Sequence, residues 1–136
     1  MKLSAMGTMD YFVARHNIKI ACEWADRNPN MPDWNDANHY KCTLTMGRKQ
    51  MTVYFSQGYR VSHEPEVVDV LNCLADDSEG VSNARSFEEW AEEYGYDTDS
   101  RQAEKTYNVC VKQAARLLSF LGEDLYNELL WETERL

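Results

Sequence analysis

The feature that most constrains this chain is a change in the spacing of its apolar residues. Between residues 39 and 56 the spacing is two: Tyr40, Cys42, Leu44 and Met46 alternate with Lys41, Thr43 and Thr45. After Gly47-Arg48 it resumes with Met51, Val53 and Phe55 against Thr52, Tyr54 and Ser56. A strand turns successive side chains to opposite faces, so each run predicts a half-buried strand, and the Gly-containing junction predicts an antiparallel hairpin. Upstream, Ile18, Ile20, Cys22 and Trp24 alternate with Lys19, Ala21 and Glu23, which predicts a third strand. Tyr11-Phe12-Val13 reads as its extension, or as a short strand before a break near His16-Asn17.

Beyond residue 64 the spacing becomes three to four, the period of a helix. Pro65 suits the first turn of a helix whose stripe is Val67, Val70, Leu71 and Leu74. The acidic, Gly-containing stretch Asp76 to Asn83 reads as a connection. Ser86-Phe87-Glu88-Glu89 is a capping box, opening a short helix that Gly95 is placed to end. Asp99-Ser100-Arg101-Gln102 resembles another N-cap. It precedes the longest stripe: Ala103, Tyr107, Cys110, Ala114, Leu117, Leu118 and Leu121. Gly122 stops that helix, and Leu125, Leu129 and Leu130 mark a last one.

Strands first and helices afterwards predict an α+β fold: a three-stranded antiparallel sheet in the N-terminal half, packed on by three to four helices of the C-terminal half. The βαβ alternation of a parallel nucleotide-binding sheet is missing. With 136 residues, 43% of them hydrophobic, residues 10–136 suffice for one domain with a real core, after a frayed start over residues 1–9. The periodicities place Ile18, Ile20, Cys22, Trp24, Leu44, Val53, Phe55, Leu71, Trp90, Tyr107, Leu117 and Leu121 in that core. No apolar run approaches the ~18–20 residues of a membrane span, and residues 1–9 lack the build of a signal peptide. A cytoplasmic protein is expected.

Signatures of catalysis are missing. The six glycines are scattered, so there is no phosphate-cradling loop, and no G-x-S-x-G elbow occurs. Cys22, Cys42, Cys73 and Cys110 are far apart in sequence, unlike zinc ligands, and each falls on or near an apolar stripe. Reduced, buried thiols and no metal or other cofactor are expected. His39 flanks a strand edge and His63 precedes a helix, ordinary exposed places, so a Cys–His nucleophile is disfavoured. Asp97-Thr98-Asp99 supplies only the beginning of a calcium loop. The loop from Asp26 to Asn38 carries two prolines and Trp34, which either packs back on the core or anchors an interface.

Charge is the strongest functional signal. The net charge is −9, yet residues 1–60 carry +3, whereas residues 61–99 hold 12 acidic residues and only Arg85. A one-sided field of this kind attracts a basic partner and opposes nucleic acid. Glu88/Glu92 and Glu89/Glu93 are i,i+4 like-charge pairs, which weaken a helix by ~0.2–0.5 kcal/mol each. The partner-binding candidates are therefore Glu88, Glu89, Glu92, Glu93, Asp97 and Asp99, with Asp76, Asp77 and Glu79 from the preceding stretch. Trp34 and Tyr59 are candidate apolar anchors. Solvated charge for solubility is the plain alternative. Direct nucleic-acid binding, by bases stacking on the polar sheet face with Arg48, Lys49, Tyr54, Tyr59 and Arg60 nearby, is the other.

Three segments carry a resemblance: Ala25-Asp26-Arg27-Asn28-Pro29-Asn30-Met31 with Trp34 and His39-Tyr40; Met51-Thr52-Val53-Tyr54-Phe55-Ser56-Gln57-Gly58; and Tyr94-Gly95-Tyr96-Asp97-Thr98-Asp99-Ser100-Arg101. Through them the chain resembles, from about Tyr11 to Leu136, a family of small phage and prophage proteins without a settled activity. The resemblance supplies no catalytic residues. It implies a context, that of non-enzymatic phage proteins that occlude a host protein, such as anti-CRISPR and other anti-defence proteins. The expectation is an inhibitor that binds a basic, nucleic-acid-binding site of a bacterial defence effector. The alternative is an accessory protein of phage DNA metabolism that binds single strands through its sheet face.

Overall fold

The computed structural model describes residues 8–31 and 34–134. It is an α+β fold with a three-stranded antiparallel sheet and five helices, mostly C-terminal. The chain divides into two compact units, one ending at Leu71 and the other beginning at Asn72. Among the described residues no helix is long and apolar enough to cross a membrane.

The first unit opens with helix α1 (Thr8–His16), where the sequence had predicted a frayed start and then strand at Tyr11-Phe12-Val13. Residues 1–7 of that expected start lie outside the described residues. Met9 and Phe12, three apart, are both buried, so this apolar run has the helical period and not the strand's. Asp10 in the first turn and Arg15 and His16 in the last suit the helix dipole. The expected break is present: Asn17 takes a left-handed φ of 52°, and Ile18 N–H donates to the Val13 carbonyl.

Strands β1 (Lys19–Ala25), β2 (Ala37–Met46) and β3 (Lys49–Gly58) form a meander with β2 in the centre. Gly47, at φ 62°, makes the hairpin turn. The register aligns Ile20 with Leu44 and Met51, Cys22 with Cys42 and Val53, and Trp24 with Tyr40 and Phe55. These rows make one apolar face. The opposite face carries Thr43 and Thr52, whose hydroxyls lie 3.3 Å apart, with Lys41 beside Tyr54.

Burial follows the predicted alternation in the central strand and fails at the edge. Ile18, Leu44, Val53 and Leu71 are buried, whereas Ile20, Cys22 and Phe55 are half-buried. Trp24, expected in the core, is 60% exposed. It sits near the end of an edge strand, in a T-shaped contact with the Tyr40 ring at 6.0 Å between centroids.

Helix α2 (Val67–Asn83) crosses from the first unit into the second. Pro65 precedes it, and Asp69 Oδ2 accepts the Glu66 N–H, closing its start. The expected connection over Asp76 to Asn83 is instead its continuation: Leu71, Leu74, Ala75 and Ser78, all buried, extend the stripe at helical spacing. Gly80 misleads a sequence reading. A Cβ there would collide with the Tyr94 hydroxyl, so the glycine allows close ring approach rather than a turn.

The remaining elements are α3 (Phe87–Glu93), α4 (Arg101–Leu121) and α5 (Glu123–Glu134). Both predicted caps are made: Ser86 Oγ accepts from Glu89 N–H and Ser100 Oγ from Ala103 N–H, each at 3.2 Å. Gly95 and Gly122 follow their helices at φ 74° and 85°. Trp90, Leu117 and Leu121 are buried as expected; Tyr107 is half-buried.

Candidate functional site

Two polar constellations stand out, one in each unit. In the first unit, β2 and β3 place His39 opposite Ser56, and the loop between β1 and β2 brings Asn28 onto the same hydroxyl. His39 Nδ1 lies 2.7 Å from Ser56 Oγ, to which Asn28 Nδ2 donates at 2.9 Å; Asn28 Oδ1 accepts the Asn30 N–H. His39 and Asn28 are both buried, which corrects the expectation of an exposed histidine at a strand edge. The Ser56 hydroxyl, with the imidazole on one side and an amide donor on the other, is a bridge that ties the loop to the sheet. Asn28, His39 and Ser56 thus each have a partner within the unit, as buried polar residues require.

In the second unit the organising residue is Trp90. The capping box starts α3 one turn before it, so Trp90 and Ala91 face inward while Glu88, Glu89, Glu92 and Glu93 remain exposed. Its indole is met by Phe87, Tyr94, Tyr96 and Tyr107, with centroids between 5.2 and 6.3 Å. Tyr96 stacks on it at 5.3 Å with only 7° between the planes. The left-handed Gly95 reverses the chain so that Tyr96 N–H donates to the Ala91 carbonyl, bringing the ring back over α3.

This cluster walls a recess of about 260 Å³. Trp90, Tyr94 and Tyr96 form its aromatic side. Asp76 and Asp77 from α2, with Thr106 and Cys110 from α4, form the polar side. A second recess of about 220 Å³ shares Tyr94 and is lined by Gly80, Asn83, Ala84, Glu89 and Glu93. No basic side chain lines either. Burial, then the neighbouring Asp76, raise the Asp77 carboxyl to about 6, against a smaller opposing effect of its hydrogen bond with Cys110. Burial and Asp77 push the Cys110 thiol up to about 12, so it is no nucleophile at neutral pH.

The predicted binding residues divide accordingly. Glu88, Glu89, Glu92, Glu93, Asp97, Asp99 and Asp76 are exposed, and Asp77 and Glu79 are half-buried. Asp76, Asp77, Glu89 and Glu93 reach the recesses; Glu88, Glu92, Asp97, Asp99 and Glu79 do not line them. Trp34, half-buried, and Tyr59, 60% exposed, belong to the first unit. The sequence reading did not single out Tyr94 and Tyr96 as candidates, yet their rings line the recess. Their signal was present as aromatics flanking a glycine directly after an acidic helix.

The cysteines are thiols, with Cys22 and Cys42 cross-strand partners at 3.5 Å between sulfurs. Cys42 and Cys110 are buried, Cys22 is half-buried, and Cys73 is exposed, contrary to the expectation that all four are buried. Among the described residues no three His, Cys, Asp or Glu side chains gather as a metal would need. The chain matches no known protein family, no curated protein and no solved structure.

Proposed function

We propose that this protein works by stoichiometric binding, not catalysis, and that the acidic face of its helical unit occupies a basic, nucleic-acid-binding surface of a partner protein. The observation that carries the reading is α3, whose four glutamates are exposed around the inward Trp90 and Ala91. Such a surface presents closely spaced negative charge, as a nucleic-acid backbone does at one charge per ~1.7 Å of duplex axis. A Lys- and Arg-lined channel would receive both by the same field. A bacterial defence effector fits that description, in keeping with the phage-protein resemblance.

The test is capture from bacterial lysate at low salt with the parent and with a variant carrying Glu88→Lys, Glu89→Lys, Glu92→Lys and Glu93→Lys. The expected result is that the parent retains nucleic-acid-binding proteins that added duplex DNA displaces, and that the variant loses them. Undiminished capture by the variant would remove α3 from the interface.

A further inference from the structure

We propose that the recess between Trp90, Tyr94, Tyr96 and the Asp76–Asp77 pair receives the guanidinium of an arginine side chain carried by the basic partner. This rests on the reading above and specifies it. The partner's general charge would meet the exposed glutamates, while the recess would select one side-chain type.

Size, charge and shape support that occupant. At about 260 Å³ the recess falls just below the ~300–1,000 Å³ of pockets for cofactors and drug-sized ligands, and suits a single side chain. Two carboxylates and no basic group line it, so its occupant is a cation. Tyr94 and Tyr96 are 52% and 40% exposed, leaving ring surface for that cation to stack on.

Among cations the guanidinium fits best. It is planar, always charged and less strongly hydrated than an ammonium, and it stacks on rings while its edge donates in a fork. Here the fork would meet Asp76 and Asp77, with the Thr106 hydroxyl as a further acceptor. A quaternary ammonium has no N–H and would leave those oxygens without donors. It also needs rings on several sides, whereas Trp90 and Tyr96 lie almost parallel, stacked on each other. A lysine would lose more hydration for fewer fixed bonds. The raised Asp77 carboxyl agrees: its charge lies beside Asp76 in a partly dry place, and an arriving cation would relieve it.

The experiment is calorimetric titration of the full chain, at matched low salt, with octa-arginine and octa-lysine peptides. Parent protein is expected to bind octa-arginine about tenfold more tightly than octa-lysine, a difference of ~1.4 kcal/mol. Asp77→Asn and Tyr94→Leu should each bring the two affinities to within about threefold by weakening the arginine peptide alone. Near-ultraviolet circular dichroism would verify that each variant keeps its aromatic packing. The fourfold α3 variant should weaken both peptides and keep their ratio. Equal affinities in the parent, both lost in the α3 variant, would overturn the arginine recess while leaving the acidic face in place. An arginine preference that survives Asp77→Asn and Tyr94→Leu would also overturn it. No binding of either peptide would overturn both readings.

Discussion

The sheet unit and the helical unit handle buried polarity in opposite ways. In the sheet unit Asn28, His39 and Ser56 satisfy one another in a closed set between β2, β3 and the loop that leads to them. In the helical unit Asp77 is held beside a second carboxylate and a wall of rings, with no basic side chain lining the same recess. A satisfied network adds stability and specifies one geometry, so it needs no ligand. Two neighbouring carboxylates at a partly dry recess raise the energy of the free protein, and a cation removes that penalty. The comparison therefore separates a polar site satisfied from within from one whose carboxylates have no cation among its lining residues, although both are small and both lie partly inside.

The largest expected effects test whether each unit has the core assigned to it. Leu44→Ala in the sheet and Leu117→Ala in α4 each remove a fully buried side chain and should lower stability by ~2–5 kcal/mol in denaturant unfolding. A loss under ~1 kcal/mol at either site would mean that the surrounding side chains collapse into the space.

His39→Ala comes next. It strips one partner from the Ser56 hydroxyl and opens a hole in the loop–sheet junction, so a loss of ~1–3 kcal/mol is expected. Binding of basic peptides should not change. A loss of peptide binding without a loss of stability would reverse the assignment of the two sites.

Asp77 makes the opposite prediction. The folded protein holds its carboxyl at about 6 against an ordinary 3.8, so the native state binds this proton more tightly than the unfolded chain does. Its contribution therefore falls as pH rises from about 4 to about 6, and above that the residue opposes folding by up to roughly 3 kcal/mol. The groups facing it are Asp76 and Cys73 on α2, Cys110 on α4 and Tyr94 after α3, none of them cationic. Asp77→Asn should thus be more stable than the parent near neutral pH, and the difference should vanish toward pH ~4. Paired unfolding curves at the two pH values decide it, and a variant less stable at neutral pH would show that the carboxylate has a cationic partner in the protein.

The smallest effect concerns a polar group with no partner. Ser78 Oγ is fully buried on α2 without a hydrogen bond. Ser78→Ala should raise the unfolding midpoint, with a gain of ~1 kcal/mol. A destabilised variant would place a bound water on that hydroxyl.

Local chemistry alone determined much of this protein. Alternation over residues 39–56 specifies a hairpin because a strand must show every second side chain to the same face. The helix boundaries at Ser86, Gly95, Ser100 and Gly122 were legible because a cap acts on backbone groups only three or four residues away. The concentration of acid in residues 61–99 was likewise visible as composition.

What the tertiary structure decided is which neighbours each residue has. Tyr11-Phe12-Val13 suits strand by propensity, yet burial of Met9 with Phe12 makes it helix. Gly80 resembles a break until the Tyr94 ring is seen against it. Trp24 keeps the period of a buried residue and is left exposed, because nothing in an alternation says where a sheet ends. The recess itself joins residues 76, 77, 90, 94, 96, 106 and 110 from three separate stretches of chain. No spacing encodes that meeting: periodicity states which side of a helix is apolar, whereas only the packing of three helices states which carboxylates share a wall with which rings.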